Sequence, residues 1–233
     1  MELILIPGFW LDGSSWDEVT PALEAAGHHV QALTLPGLES AEADRSDIGL
    51  ADHVDAVVDV VDAVDEPVVL VGHSGGGSIA HAVADARPDR VSRVVFVDAG
   101  PQGTGQAIND QLPIVDGEIP LPDWSLFDDE ELVDLDDRRR DAFRARSLPE
   151  PVGVAYDRFA LTDDRRYEVP ATIVCCALQS GQLREWIAQD SPYVAELAAM
   201  RDVSYVDLPT GHWPQLTKPN ELAQAILGAL DRE

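Results

Sequence analysis

Continuous apolar runs alternate with segments of helical spacing along most of this chain. The runs predict strands at Leu3 to Pro7, His29 to Leu35, Val68 to Gly72, Val91 to Asp98, Ala171 to Leu178 and Val203 to Leu208. Several are unbroken Val, Ile and Leu stretches, the pattern of parallel strands covered on both faces. Between them, Ser15 to Ala26 predicts a helix that stops at Gly27, a residue suited to a C-cap. Asp47 to Val64 places Leu50, Val54, Val57, Val58, Val61 and Val64 on one helical face. Gly75 to Ala86, Pro192 to Arg201 and Asn220 to Leu230 are the other helix candidates, and Glu185 falls in one more after the fifth strand. This alternation predicts a doubly wound, mostly parallel α/β sheet built as a single domain over residues 1–233.

One stretch breaks the rhythm. Gly100 to Val169 separates the fourth and fifth strands by about seventy residues, far more than a crossover requires. Asp128 to Arg146 is charged and helix-prone, with scattered apolar positions at Leu132, Leu135, Ala142 and Phe143. Trp124, Leu126, Phe127, Tyr156 and Phe159 supply groups able to roof a pocket. The expectation is an inserted helical lid over approximately residues 101–169.

Composition narrows the class. The chain is 45% hydrophobic and 25% charged, an ordinary globular balance. Sixteen basic residues against 43 acidic ones give a net charge of −27, and Lys218 is the only lysine. Such a surface repels nucleic acid and anionic membranes. It suits a cytoplasm of high ionic strength, and equally a surface kept acidic for solubility. The first apolar run is too short for a membrane span and lacks a basic flank, so a cytoplasmic location is expected. Cys175 and Cys176 are neighbours on a strand and point to opposite faces, so they read as buried thiols rather than a disulfide. No Cys/His spacing suggests a metal site, and no cofactor is expected.

The chemistry centres on Gly72-His73-Ser74-Gly75-Gly76, a G-x-S-x-G pattern framed by a buried strand and a helix. A serine on such a turn presents Oγ clear of the backbone, above a helix N-terminus that favours negative charge. Serine is a weak nucleophile and needs a base. His212 follows the last strand and so reaches the same sheet edge. His28 and His29 lie on the opposite edge, His53 and His81 lie within helices, and His73 is read as packing beneath the turn. The acid should fall between serine and histidine in the chain. The fifth strand runs into Gln179, Ser180 and Gly181, whereas the fourth ends at Asp98. Asp98 is therefore the candidate acid, with Gln179 or Ser180 holding the histidine as the alternative. Phe9 and Gly75 are the candidate backbone donors for an oxyanion. Phe9, Trp10, Trp124 and Trp213 are the candidate pocket residues.

With these motifs the chain resembles the α/β-hydrolase superfamily, and within it the small branch of plant methylesterases, hydroxynitrile lyases and bacterial esterases. The marks are Pro7-Gly8-Phe9-Trp10, Gly72-His73-Ser74-Gly75-Gly76, Val95-Phe96-Val97-Asp98-Ala99 and Gly211-His212-Trp213-Pro214. The resemblance implies a cofactor-free serine hydrolase that cleaves a small carboxylic ester or lactone, with an apolar or aromatic group, through an acyl-enzyme. It also implies two alternatives: a C–C bond hydrolase or lyase on the same serine, and a non-hydrolytic ligand-binding protein of this fold. Most relatives carry an Asp where this chain has Gln179, Ser180 and Gly181, but some lactone hydrolases carry it after the preceding strand, as Asp98 would be. Hydroxynitrile lyases of the branch place a lysine beside the histidine. Trp213 stands there instead, which argues against cyanohydrin cleavage.

Overall fold

The computed structural model describes residues 1–231. Strands β1 (Glu2–Ile6), β2 (His29–Ala32), β3 (Val68–His73) and β4 (Val91–Val97) come first. Helices α1 (Thr20–Ala25), α2 (Leu50–Ala63) and α3 (Gly75–Ala86) join them. The segment 101–169 follows, with a two-stranded antiparallel ribbon of β5 (Glu118–Ile119) and β6 (Glu150–Pro151), then helices α4 (Asp137–Arg146) and α5 (Val152–Tyr156). The chain closes with β7 (Ala171–Cys175), α6 (Ser180–Ala188), α7 (Ala195–Ala199), β8 (Val203–Asp207), α8 (Pro214–Thr217) and α9 (Pro219–Leu230).

Six strands form one parallel sheet in the order β2-β1-β3-β4-β7-β8. The two-residue period of a strand splits its apolar side chains between two layers. Leu3, Leu5, Val69, Val71, Val95 and Val97 face Leu23 of α1 and Leu222 and Ile226 of α9. Ile4, Ile6, Val68, Leu70, Val94 and Phe96 face Val57 and Val61 of α2 and Ile79 and Val83 of α3. Each such side chain taken fully from water contributes about 1.5–3 kcal/mol. Cys175 and Cys176 divide the same way, one into each layer, and both are free thiols. Burial pushes the Cys175 thiol up to about 12, which keeps it protonated and inert.

Several boundaries differ from those expected. The stretch from Ser15 to Ala26 is a 3-10 turn at Gly13–Trp16 followed by α1, because Pro21 fixes a fresh helix start. β2 stops at Ala32, since its partner β1 runs into Pro7, which has no N–H to pair. The charged stretch from Asp128 is turns until Asp134, whose φ of 63° halts any helix. Only α4 is helical there, capped by Asp136 accepting from Arg139 N at 2.8 Å. Pro192 to Arg201 begins as a 3-10 turn at Pro192–Val194 before α7. Among the described residues no helix is long and apolar enough to cross a membrane.

Candidate active site

The turn after β3 puts Ser74 at φ 50°, ψ −123°, and α3 begins at the next residue. A non-glycine residue holds such angles only where its surroundings impose them. Ser74 N donates to Val97 O at 3.1 Å, and Gly77 N donates to Ser74 O at 2.9 Å. Gly76 is required by close approach, since a Cβ there would lie 2.4 Å from the Pro7 carbonyl oxygen. The first loop is thus pressed against the serine turn, which brings Phe9 beside Gly75.

His212 reaches the turn from the loop between β8 and α8. Ser74 Oγ donates to His212 Nε2 at 2.9 Å, and His212 Nδ1 donates to Asp98 Oδ2 at 2.7 Å. The other carboxylate oxygen, Asp98 Oδ1, accepts from Cys176 N at 2.9 Å and Ala177 N at 3.0 Å. β4 and β7 are neighbours, so a side chain at the end of one meets the backbone at the end of the other. Asp98 takes a φ of 43° to make this turn. Its side chain is 7% exposed and that of His212 is 17% exposed. The alternative partners are engaged elsewhere. Gln179 Nε2 donates to Cys176 O at 2.6 Å, and Ser180 Oγ donates to Asp207 Oδ2 at 2.7 Å.

The His212 loop is held from two sides. Beneath it, fully buried His73 donates from Nε2 to His212 O at 2.7 Å and accepts at Nδ1 from Gln215 Nε2 at 3.1 Å. Burial, and secondarily the neighbouring His212, lowers the His73 pKa to about 3, so its ring stays neutral in this donor–acceptor arrangement. Above it, Gly211 N donates to Val133 O at 3.0 Å and His212 N donates to Glu131 O at 2.8 Å. The segment 101–169 is therefore hydrogen-bonded directly to the loop that carries the histidine.

Ser74, His212, Asp98, Phe9, Trp10 and Gly75 line one cavity of about 360 Å³. Trp124 and Trp213, expected on its wall, stand behind it. Trp213 is 1% exposed and packs edge-on against Phe127 and Phe143, with centroids at 5.3 Å from each. Trp124 stacks on the same cluster, and Phe127 and Leu126 are the side chains that reach the cavity. Ile108, Leu112 and Glu131 also face it. They went unrecognised because no periodicity marks an irregular loop. Among the described residues no group of three His, Cys, Asp or Glu side chains could hold a metal ion.

Residues 3–225 match the Alpha/beta hydrolase family. The chain belongs to that family. A pyrethroid hydrolase of Sphingobium wenxiniae is 25% identical over 99% of this chain and 88% of its own length. Methylesterase 8 of Arabidopsis thaliana is 36% identical, over 40% of this chain and 36% of its own. Among solved structures, an extracellular α/β-hydrolase from a Paenibacillus species superposes with a TM-score of 0.79 at 24% identity, covering 98% of both chains.

One further feature of this α/β hydrolase lies under its first loop. Trp10 takes a φ of 65° and donates from its backbone N to Glu150 Oε2 at 3.3 Å. Its indole N–H donates to Ile119 O at 3.1 Å, so the β5–β6 ribbon holds both ends of the residue. Glu150 is completely buried. Burial raises its pKa to about 8, opposed by the Trp10 hydrogen bond and by the charge of Arg45. His53 lies 4.0 Å away and is also buried, with Nε2 donating to Pro36 O at 2.8 Å. Neither histidine read as helical is exposed: His81, on α3, bonds Glu196 at 3.0 Å.

Proposed function

We propose that this chain is a cofactor-free serine hydrolase of small carboxylic esters or lactones, working through a Ser74–His212–Asp98 triad. The observation that carries the proposal is the unbroken chain of contacts from Ser74 Oγ through both ring nitrogens of His212 to Asp98. With Asp98 Oδ1 committed to two amides, Oδ2 is left to orient the imidazole and to stabilise its cation. The names of the relatives agree: one is a pyrethroid hydrolase and the other a methylesterase.

In the first half-reaction Ser74 Oγ attacks the ester carbonyl carbon, and His212 Nε2 takes the hydroxyl proton. The carbonyl oxygen becomes an oxyanion, received by the backbone N–H groups of Phe9 and Gly75. Collapse of the tetrahedral species breaks the bond to the alcohol oxygen, which leaves with the proton from His212. Water then attacks the acyl-serine with His212 again as base, releasing the acid and restoring Ser74. The segment 101–169 serves as the lid, closing the cavity with Leu126 and Phe127. Turnover of p-nitrophenyl acetate tests the reading. Ser74→Ala lowers kcat by more than about 10³-fold, and equal rates in the two proteins would refute it.

A further inference from the structure

Beside the cavity at Ser74 lies a second of about 330 Å³, between the end of β7, helix α6 and the turn before α7. The two share a wall: Asp98, Ala99, Gly100, Gln102 and Glu131 face both. Beyond that wall the lining is apolar. Ile173, Ala177 and Leu178 come from β7 and its exit, Trp186 from α6, and Leu197 from α7. Tyr193 stands at the side of this cavity, 85% exposed.

The position of the triad acid accounts for this cavity. With the carboxylate on β4, the exit of β7 needs to supply only backbone amides to Asp98, from Cys176 and Ala177. Its side chains are then free to be small and apolar. The charged groups facing the cavity are Asp98 and Glu131, both on the shared wall and both carboxylates, with Gln102 the neutral polar neighbour. Two negative charges at the entrance penalise an anionic group, and the apolar interior has nothing to solvate one. A hydrocarbon group meets neither cost and gains from burial.

Resting on the serine hydrolase reading, we propose that this cavity is a second arm of the substrate site. It receives an uncharged hydrocarbon group of the ester, while the ester carbonyl sits at Ser74. The acyl chain and the alcohol chain share this chemistry, and substrate series separate them. One series lengthens the acyl side, from p-nitrophenyl acetate to p-nitrophenyl hexanoate. The other lengthens the alcohol side, from methyl acetate to hexyl acetate.

The arm is obstructed by Leu178→Trp, at a half-buried position on its floor. A second variant, Gly100→Leu, places a side chain on the shared wall, where an added Cβ meets no atom within 4 Å. The readout is the long-to-short ratio of kcat/KM within each series, which is insensitive to how much protein is folded. In one series the ratio falls at least about tenfold in either variant, the effect of about two methylenes losing burial. The series in which it falls names the chain that occupies the arm. Ratios within twofold of wild type in both series overturn the proposal. Wild-type protein that turns over none of these esters, and in which Ser74 takes up no fluorophosphonate, overturns the hydrolase reading instead.

Discussion

The ends of β4 and β7 lie side by side in the sheet and carry opposite equipment. β4 ends in Asp98, a carboxylate turned back toward its neighbour at positive φ. β7 runs out into Cys176 and Ala177, which contribute amides, and then into Gln179 and Ser180 at the start of α6, whose side chains bond elsewhere. The acid that orients a triad histidine needs an anionic oxygen at one place in space and no particular strand beneath it. Neighbouring parallel strands are close enough to exchange that duty. In the proposed triad the exchange has a consequence on each side. Asp98 gains two amide donors that hold its charge, and the exit of β7 becomes an apolar wall.

The largest effect expected from this difference is kinetic. Asp98→Asn keeps the shape but loses the charge and reverses what Nδ1 can donate to, so kcat for p-nitrophenyl acetate falls about 10³–10⁴-fold. Gln179→Ala, at the end of β7, changes kcat by less than about threefold, the size of a change outside the reacting groups. A loss of comparable size in the Gln179 variant would move the acid's role back to β7.

A smaller effect comes from the clamp above His212. A Cβ on Gly211 would lie 2.3 Å from Glu131 O, so Gly211→Ala pushes the histidine loop and the segment 101–169 apart. Misplacing a reacting group by about 1 Å costs on the order of 10²-fold. The variant is expected to lose about 10- to 100-fold in kcat while its melting temperature changes by only a few degrees. Unchanged kcat would show that the segment does not help to place His212.

The smallest effect contrasts Asp98 with the other buried carboxyl near the site. Asp98 accepts three hydrogen bonds, whereas Glu150 accepts one from Trp10 N at 3.3 Å. Glu150 has a pKa raised from 4.5 to about 8 by burial. The stability it contributes is present below the lower value and is lost as pH rises through the upper one. Glu150→Gln removes that titration. The melting temperature of the variant relative to wild type should therefore rise between pH 5 and pH 8, by up to about 1.4 kcal/mol of stability per pH unit. A pH-independent difference would show that Glu150 is ionised throughout.

The sequence carries the sheet and the serine turn plainly, because both rest on local rules. The apolar run Val68 to Gly72 predicts a buried strand, which extends to His73, and a serine among Gly72, Gly75 and Gly76 predicts a tight turn before a helix. The contact of Asp98 with His212 was legible for a topological reason: Asp98 is the carboxylate at a strand's end on the correct edge, between the serine and the histidine in the chain. The pocket wall was legible only in part: Phe9, Trp10, Leu126 and Phe127 line the cavity as expected, whereas Trp124 and Trp213 do not. Trp213 and Trp124 are aromatic beside the site in sequence, yet they stack on Phe143 and leave Phe127 to face the cavity. That choice depends on how an irregular segment folds onto the sheet edge, and no period records it. Glu150 was missed for the same reason, since its partner Trp10 lies 140 positions away.

The proton between His212 and Asp98 tests the central claim most directly. In ¹⁵N-labelled protein, His212 Nδ1–H should give a strongly downfield proton resonance, as expected of a short hydrogen bond to a carboxylate. The account predicts that this signal is present in wild type, retained in Gln179→Ala and lost or shifted well upfield in Asp98→Asn. A signal that survives in Asp98→Asn and disappears in Gln179→Ala would contradict it.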